Sequence, residues 1–146
     1  MLPLIDENFV VDRVAEFLTT HGFVIEQRLS TNQTGVDIRA THPQRHEAWL
    51  VEAKGQTSSK KASRRHGKAF NSSQISVHVG MAVYAALALR QRNPDENSIH
   101  IGLALPDDEA HKRRIAGISR ALDLSGIQIL WVMPDGQVKL ASAGVE

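Results

Sequence analysis

Two short runs of alternating apolar and polar residues, joined by a polar turn, constrain this chain more than any other stretch. The runs cover residues 35–40 and 49–54, and the turn between them contains Pro43. In a β-strand, residues two apart point to the same face of the sheet. The pattern therefore predicts a β-hairpin whose apolar side chains share one core. These side chains are Val36, Ile38, Ala40, Trp49, Val51 and Ala53.

The same alternation sends Asp37, Glu52 and Lys54 together to the opposite face of the hairpin. Two carboxylates can hold a hard divalent cation, with water and a phosphate oxygen completing the coordination, and the Ala53 carbonyl could add a ligand. Lys54 can orient or help deprotonate an attacking water and offset transition-state charge. The alternative is a solvated strand face with a cross-strand ion pair worth about 0.2–1 kcal/mol.

The strings Gly35-Val36-Asp37 and Glu52-Ala53-Lys54 resemble the D…ExK signature of the restriction-endonuclease-like PD-(D/E)xK nuclease superfamily. The resemblance extends over residues 7–105, and Val36 stands where a proline usually precedes the first aspartate. It implies hydrolysis of DNA phosphodiester bonds with Mg2+ (or Mn2+), catalysed by Asp37, Glu52 and Lys54. Asp37, Glu52 and Ala53 would hold the metal. It also implies an α-β-β-β-α-β core, and it is compatible with a homodimer, because many such enzymes pair to cut both strands.

Two further residues are catalytic candidates by the same resemblance. Residues 7–20 predict an amphipathic helix, and Glu16 is the best match to the first-helix glutamate that reaches the metal in many related nucleases. The alternative for Glu16 is an exposed helix charge. Gln74 begins a predicted helix, where several branches of the superfamily place a glutamine in the active site. The alternative for Gln74 is a capping box with Asn71.

The helix that Gln74 begins is predicted over residues 72–92. Apolar side chains surround most of its circumference, so we expect it to be mostly buried. His78 follows Gln74 by one turn of the helix. It can be interpreted either as a residue of the site or as an ordinary core or surface histidine. Further along the chain, a helix with Asp107 as its N-cap is expected to expose residues 111–114 as a solvated basic face.

Charge is segregated along the chain. Between Glu52 and Asp95 there are eight lysine and arginine residues and no acidic residue, whereas the rest of the chain has nine basic and sixteen acidic residues. A basic loop over residues 55–69 directly follows the candidate catalytic strand, which favours contact with DNA phosphates over a merely solvated loop. The residues expected to bind DNA are Lys60, Lys61, Arg64, Arg65 and Lys68.

Length and composition set the class of protein. The 146 residues, 1–146, predict a single α/β domain with a central mixed sheet flanked by helices. The chain has no cysteine, which excludes disulfides and thiolate chemistry. The sequence shows no signal peptide and no long uninterrupted apolar run, so we expect a cytoplasmic protein without a membrane partner. Two alternatives to a nuclease stay open: an inactive nucleic-acid-binding module on the same fold, and a subunit that docks a partner protein through an apolar helix or sheet edge.

Overall fold

The computed structural model describes residues 4–29, 35–57 and 68–142, and these form one α/β domain. Its helices and strands follow in the order expected for residues 7–105, and two further helices and two further strands come after them. The elements are α1 (Glu7–Thr20), β1 (Val24–Arg28), β2 (Ile38–Thr41), β3 (Ala48–Ala53), α2 (Ser72–Arg92), β4 (Ile99–Pro106), α3 (Glu109–Ala116), α4 (Ser119–Leu124), β5 (Ile127–Val132) and β6 (Val138–Ser142).

The strands in this part of the chain form a six-stranded mixed sheet in sequence order, β1 to β6. The predicted hairpin is the antiparallel pair β2–β3, with Ile38 opposite Val51 and Ala40 opposite Trp49. β3 pairs in parallel with β4, and β4 pairs in parallel with β5. Because parallel strands end at the same edge of a sheet, the residues that follow β3 and β4 lie side by side.

The sheet is covered on both faces. α1, capped by Asp6 as its sequence predicts, packs on the core that contains five of the six apolar hairpin residues. The helices after β3 cover the other core, which also contains Val36 and Leu50. The prediction that Val36 shares the core of Ile38 was therefore wrong. β2 begins only at Ile38, and Gly35 has a φ of 122°, so the strand alternation does not extend back to Val36.

The bounds predicted for α2 are confirmed, but the prediction that it is mostly buried was wrong. Its inner face buries Val79, Ala82, Ala86 and Leu89. Its outer face exposes large apolar side chains, because the described elements form a single helical layer on this side. They are Val77 (59% exposed), Met81 (56%), Tyr84 (76%) and Leu87 (40%). By length and composition alone α2 could cross a membrane, a test that core helices of soluble proteins also pass.

The segment after β4 differs from its prediction in two ways. Asp108, not Asp107, is the N-cap of α3, since its carboxylate accepts from the His111 amide. The predicted solvated basic face is wrong for His111, which is 1% exposed, and for the half-buried Arg114. The Arg114 guanidinium donates to the carbonyl and hydroxyl of Ser72 and so ties α3 to the start of α2. Contacts with Asp108 and Ser72, which a linear charge pattern does not reveal, account for the difference.

Candidate active site

Asp37 is held by hydrogen bonds at both its backbone and its side chain. The Leu29 amide donates to the Asp37 carbonyl at 2.9 Å, which extends the β1–β2 pairing past the end of β1 and back before the start of β2. The Ala53 amide donates to Asp37 Oδ2 at 2.8 Å. The Asp37 carboxylate is thus tied to the carboxyl end of β3, next to Glu52.

The carboxyl groups of Asp37 and Glu52 are hydrogen-bonded to one another. Burial raises the pKa of Glu52 to about 8, and the neighbouring Asp37 charge adds to the effect. Burial also raises the pKa of Asp37, against the lowering effect of the Ala53 hydrogen bond. Two half-buried carboxyls this close cannot both ionise cheaply, so they share a proton near neutral pH unless a cation joins them.

Lys54 lies beside this carboxyl pair, and its charge lowers the pKa of both members. Its ammonium is 3.8 Å from Glu7 Oε1, in the first turn of α1. The first-helix carboxylate at the site is therefore Glu7, whose charge also raises the pKa of Glu52. Sequence reasoning missed Glu7, because the sequence does not show which end of α1 faces this edge of the sheet.

The structure does not bring Glu16 to the group around Glu52. The Glu16 side chain is 62% exposed and pairs with Arg13 at 3.1 Å. It lines a separate surface groove with Asp12 and Arg28. About two and a half turns of α1 separate Glu16 from Glu7, and the observed ion pair matches the alternative of an exposed helix charge.

Residues 55–57 and 68–70 lie at the two ends of the basic loop, and the hydrogen bond between Gln56 and Phe70 joins them in a narrow neck. Gly55 packs on the start of α1 so closely that a Cβ would lie 2.4 Å from the Asp6 carbonyl carbon. Gln56 exchanges hydrogen bonds with Ile5 and accepts one from the Phe70 amide at 2.9 Å. The loop thus leaves and returns beside the carboxyl pair. Lys68 is exposed there, whereas Lys60, Lys61, Arg64 and Arg65 lie outside the described residues.

Gln74 and His78 lie in the first two turns of α2. The capping box predicted for Gln74 is confirmed: its side-chain oxygen accepts from the Asn71 amide at 2.8 Å, and Asn71 Oδ1 accepts from the Gln74 amide at 2.9 Å. A catalytic role for Gln74 stays a prediction. The His78 ring stacks on Phe70 at 4.4 Å. Partial burial and the charge of Lys54 lower the pKa of His78, so this ring is within electrostatic reach of the site.

A second polar group lies at the end of β4. His111 Nδ1 is 2.8 Å from Asp108 Oδ1, and Gln56 Nε2 donates to Asp108 Oδ2 at 2.9 Å. Burial would raise the pKa of Asp108, but these hydrogen bonds outweigh burial and hold it at about 2. His111 Nε2 is buried and makes no hydrogen bond to the described residues. Sequence reasoning missed this pair because it took Asp107 as the N-cap, whereas Asp108 is the N-cap and His111 is the third residue of α3.

The donor set at Asp37 and Glu52 fits a hydrated magnesium ion. Within residues 4–29, 35–57 and 68–142, no group of three or more histidine and carboxylate side chains could hold a metal. Mg2+ needs fewer protein ligands, since it commonly binds one or two carboxylates and keeps several waters. Two carboxyls that must otherwise share a proton suit such a cation. The Ala53 amide donates a hydrogen bond to Asp37. Metal binding by the Ala53 carbonyl stays a prediction.

Comparisons with known proteins return no match to this chain. No protein-family model matches it, and neither a curated protein nor a solved structure does. A functional conclusion therefore depends on the geometry at the ends of β3 and β4 and on the short motif that it contains.

Proposed function

We propose that this protein is a metal-dependent nuclease that hydrolyses DNA phosphodiester bonds, with a restriction-endonuclease-like core. One observation carries the proposal: Asp37 and Glu52 meet as a hydrogen-bonded carboxyl pair with Lys54 beside them, at the neck of the basic loop. Carboxylates that repel each other in the absence of a cation are costly to keep together. Functional sites are where proteins accept such costs.

Each residue of the site has a distinct task in this proposal. Asp37 and Glu52 would bind Mg2+ (or Mn2+), which when bound would neutralise charge on the scissile phosphate. The Ala53 amide keeps the Asp37 carboxylate aimed at that position. Lys54 orients the attacking water and offers a positive charge to the transition state. Water then adds to phosphorus and releases a proton to solvent, the bond to one ester oxygen breaks, and that oxygen takes up a proton from solvent as it leaves.

The order of the elements supports the fold part of the proposal. The chain runs α1-β1-β2-β3-α2-β4, with β2–β3 antiparallel and β3–β4 parallel. This is the α-β-β-β-α-β order that the D…ExK resemblance implies. Glu7, rather than Glu16, is the first-helix carboxylate that we assign to the site, because Glu7 contacts Lys54.

DNA binding is assigned to the basic loop and the surface at its neck. Lys68 is exposed at the return of the loop, and no acidic residue occurs between Glu52 and Asp95 to repel phosphate. Lysine and arginine contacts to phosphate release counterions, so binding should weaken steeply with salt. The segment lacks interleaved aromatic residues, so base stacking is not the expected mode of binding.

The decisive experiment is cleavage of a panel of plasmid, linear duplex, single-stranded and branched DNA with Mg2+, Mn2+ or EDTA. We expect metal-dependent cutting by the wild type and a loss of at least about 100-fold in Asp37→Asn and Lys54→Ala. Glu16→Gln is the matched control, because it removes an exposed carboxylate of α1 away from the site. It should cut like the wild type.

Two other results would contradict the nuclease. Cutting that survives both Asp37→Asn and Lys54→Ala would come from another site or another protein. Salt-sensitive DNA retention by a folded wild type that never cuts, with or without metal, would instead favour an inactive binding module on this fold.

A further inference from the structure

The outer face of α2 is unlike the outer face of the other long helix. The exposed side chains of α1 include Asp12 and Glu16, as expected for a helix face in water. Residues 74–89 of α2 contain no lysine, arginine, aspartate or glutamate. The exposed side chains here are instead Val77, Met81, Tyr84 and Leu87. Their spacing of four, three and three residues places them on one stripe of the helix.

This stripe is symmetric about the middle of α2. The helix runs from Ser72 to Arg92, so its midpoint is Ala82, and the stripe extends about equally to both sides. When a second α2 is laid against it in the opposite direction, Val77 lies opposite Leu87 of the second copy. In the same register, Gly80 lies opposite Tyr84 of the second copy. An interface between identical copies related by a two-fold axis requires this kind of self-complementarity.

Gly80 and Tyr84 are complementary in shape as well as in position. A Cβ added at Gly80 would meet no atom within 4 Å, so the helix surface has an open gap there. Tyr84 is the most exposed large apolar side chain of the stripe, at 76%. Its ring can fill the gap over Gly80 of the second copy, which lets the two helices approach closely. Glycine otherwise weakens a helix interior by about 1 kcal/mol relative to alanine.

The area of the stripe is sufficient for a modest interface. With exposures of 40–76%, the four side chains would bury roughly 500 Å² per copy, or about 1,000 Å² in the pair, near the lower limit for a specific interface. No charged side chain of residues 74–89 would be desolvated. We propose that this chain forms a two-fold symmetric dimer in which two α2 helices pack antiparallel, with Tyr84 of each copy over Gly80 of the other.

The test begins with the mass in solution. We expect light scattering to give twice 16.1 kDa at high concentration and one chain mass on dilution. Tyr84→Glu should abolish the dimer. Leu124→Glu is the matched control, since Leu124 is equally exposed, at 75%, but lies on α4, and it should leave the dimer intact. A wild type that stays monomeric at hundreds of micromolar would overturn the proposal.

Gly80→Leu distinguishes specific packing of a second copy from nonspecific hydrophobic association. The substitution should improve the monomer helix and add apolar area, so a partner that merely seeks apolar surface would bind at least as well. The proposed dimer should weaken at least about tenfold, because leucine occupies the place of the Tyr84 ring. An unchanged dimer in Gly80→Leu would overturn the packing. Flotation of a monomeric wild type with phosphatidylcholine vesicles, lost in Tyr84→Glu, would assign the face to a membrane and equally overturn it.

Cysteine cross-linking tests the direction of the helices, and the chain has no cysteine to interfere. In the antiparallel pair, the two Met81 residues lie close to the two-fold axis, so Met81→Cys should form a dimeric disulfide. The two Val77 residues lie ten residues apart along the paired helices, about 15 Å, so Val77→Cys should not. Equal cross-linking at both positions would indicate a parallel pair and overturn the arrangement. The proposal holds whether or not the protein cuts DNA.

Discussion

The carboxyl ends of the adjacent strands β3 and β4 present two carboxylate sites with opposite electrostatics. After β4, Asp108 receives hydrogen bonds from His111 and Gln56, and its pKa is held at about 2. At β3, Glu52 meets Asp37, and burial raises its pKa to about 8. The Asp108 carboxylate is stabilised by its hydrogen bonds to His111 and Gln56. The charged form of the Asp37–Glu52 pair is unfavourable unless a cation binds to it. We therefore assign the catalytic site to the end of β3 and a supporting role to the residues after β4.

The largest difference between the two sites should appear in catalysis. Glu52→Gln should lower metal-dependent DNA cleavage by at least about 100-fold, because it removes a proposed metal ligand. Asp108→Asn should keep cleavage within about tenfold of the wild type, since it alters a supporting pair. Rates on the preferred DNA substrate under single-turnover conditions measure both variants. Equal losses in the two variants would remove the functional distinction between the strands.

Metal should stabilise the protein through the β3 site alone. At a Mg2+ concentration 100 times its dissociation constant, binding to the folded state adds about 2.7 kcal/mol to the free energy of unfolding. Urea unfolding with and without Mg2+ should show this gain in the wild type and in Asp108→Asn. Glu52→Gln should show little of it. A full gain in Glu52→Gln would place the metal elsewhere.

Without metal, substitutions at the two sites should change stability in opposite directions. At pH 9, Glu52→Gln should raise the free energy of unfolding by about 1–2 kcal/mol, because it removes a carboxylate that burial and Asp37 disfavour. Asp108→Asn should lower the free energy of unfolding by about 1–3 kcal/mol. The asparagine can still cap α3, but it no longer offers a carboxylate charge to His111. Chemical unfolding in EDTA measures both. Destabilisation by Glu52→Gln would mean that the carboxyl pair is not strained.

The smallest effects should appear in the pH dependence of wild-type stability in EDTA. The pKa of Asp108 is lowered from 3.8 to about 2, so its contribution is complete above pH 4 and is lost as pH falls to 2. The pKa of Glu52 is raised from 4.5 to about 8, so stability declines as pH rises through that interval. Each decline should shrink in the matching variant, Asp108→Asn or Glu52→Gln. Declines that persist unchanged in these variants would assign them to other groups.

Sequence reasoning succeeded where a local period decides the outcome. The bounds of α1 and α2, the Asp6 cap and the capping box at Gln74 all follow from residues a few positions apart. The burial of α2 was wrong because burial depends on how many layers cover a helix, and its apolar outer face has no described neighbour. Glu16 was chosen by its position in a helix, which says nothing about the end of the helix that faces the site.

The alternation from Ile38 to Ala53 by itself determined the hairpin and the shared core of its apolar side chains, because a strand assigns faces by a period of two residues. Only the tertiary structure decided that Glu7 meets Lys54, and that Gln56 joins Asp108 from 52 residues away. Those contacts arise at the edge of the sheet where α1 begins and where β3 and β4 end. The free energy of packing whole elements brings them together there, and no spacing along the chain encodes it.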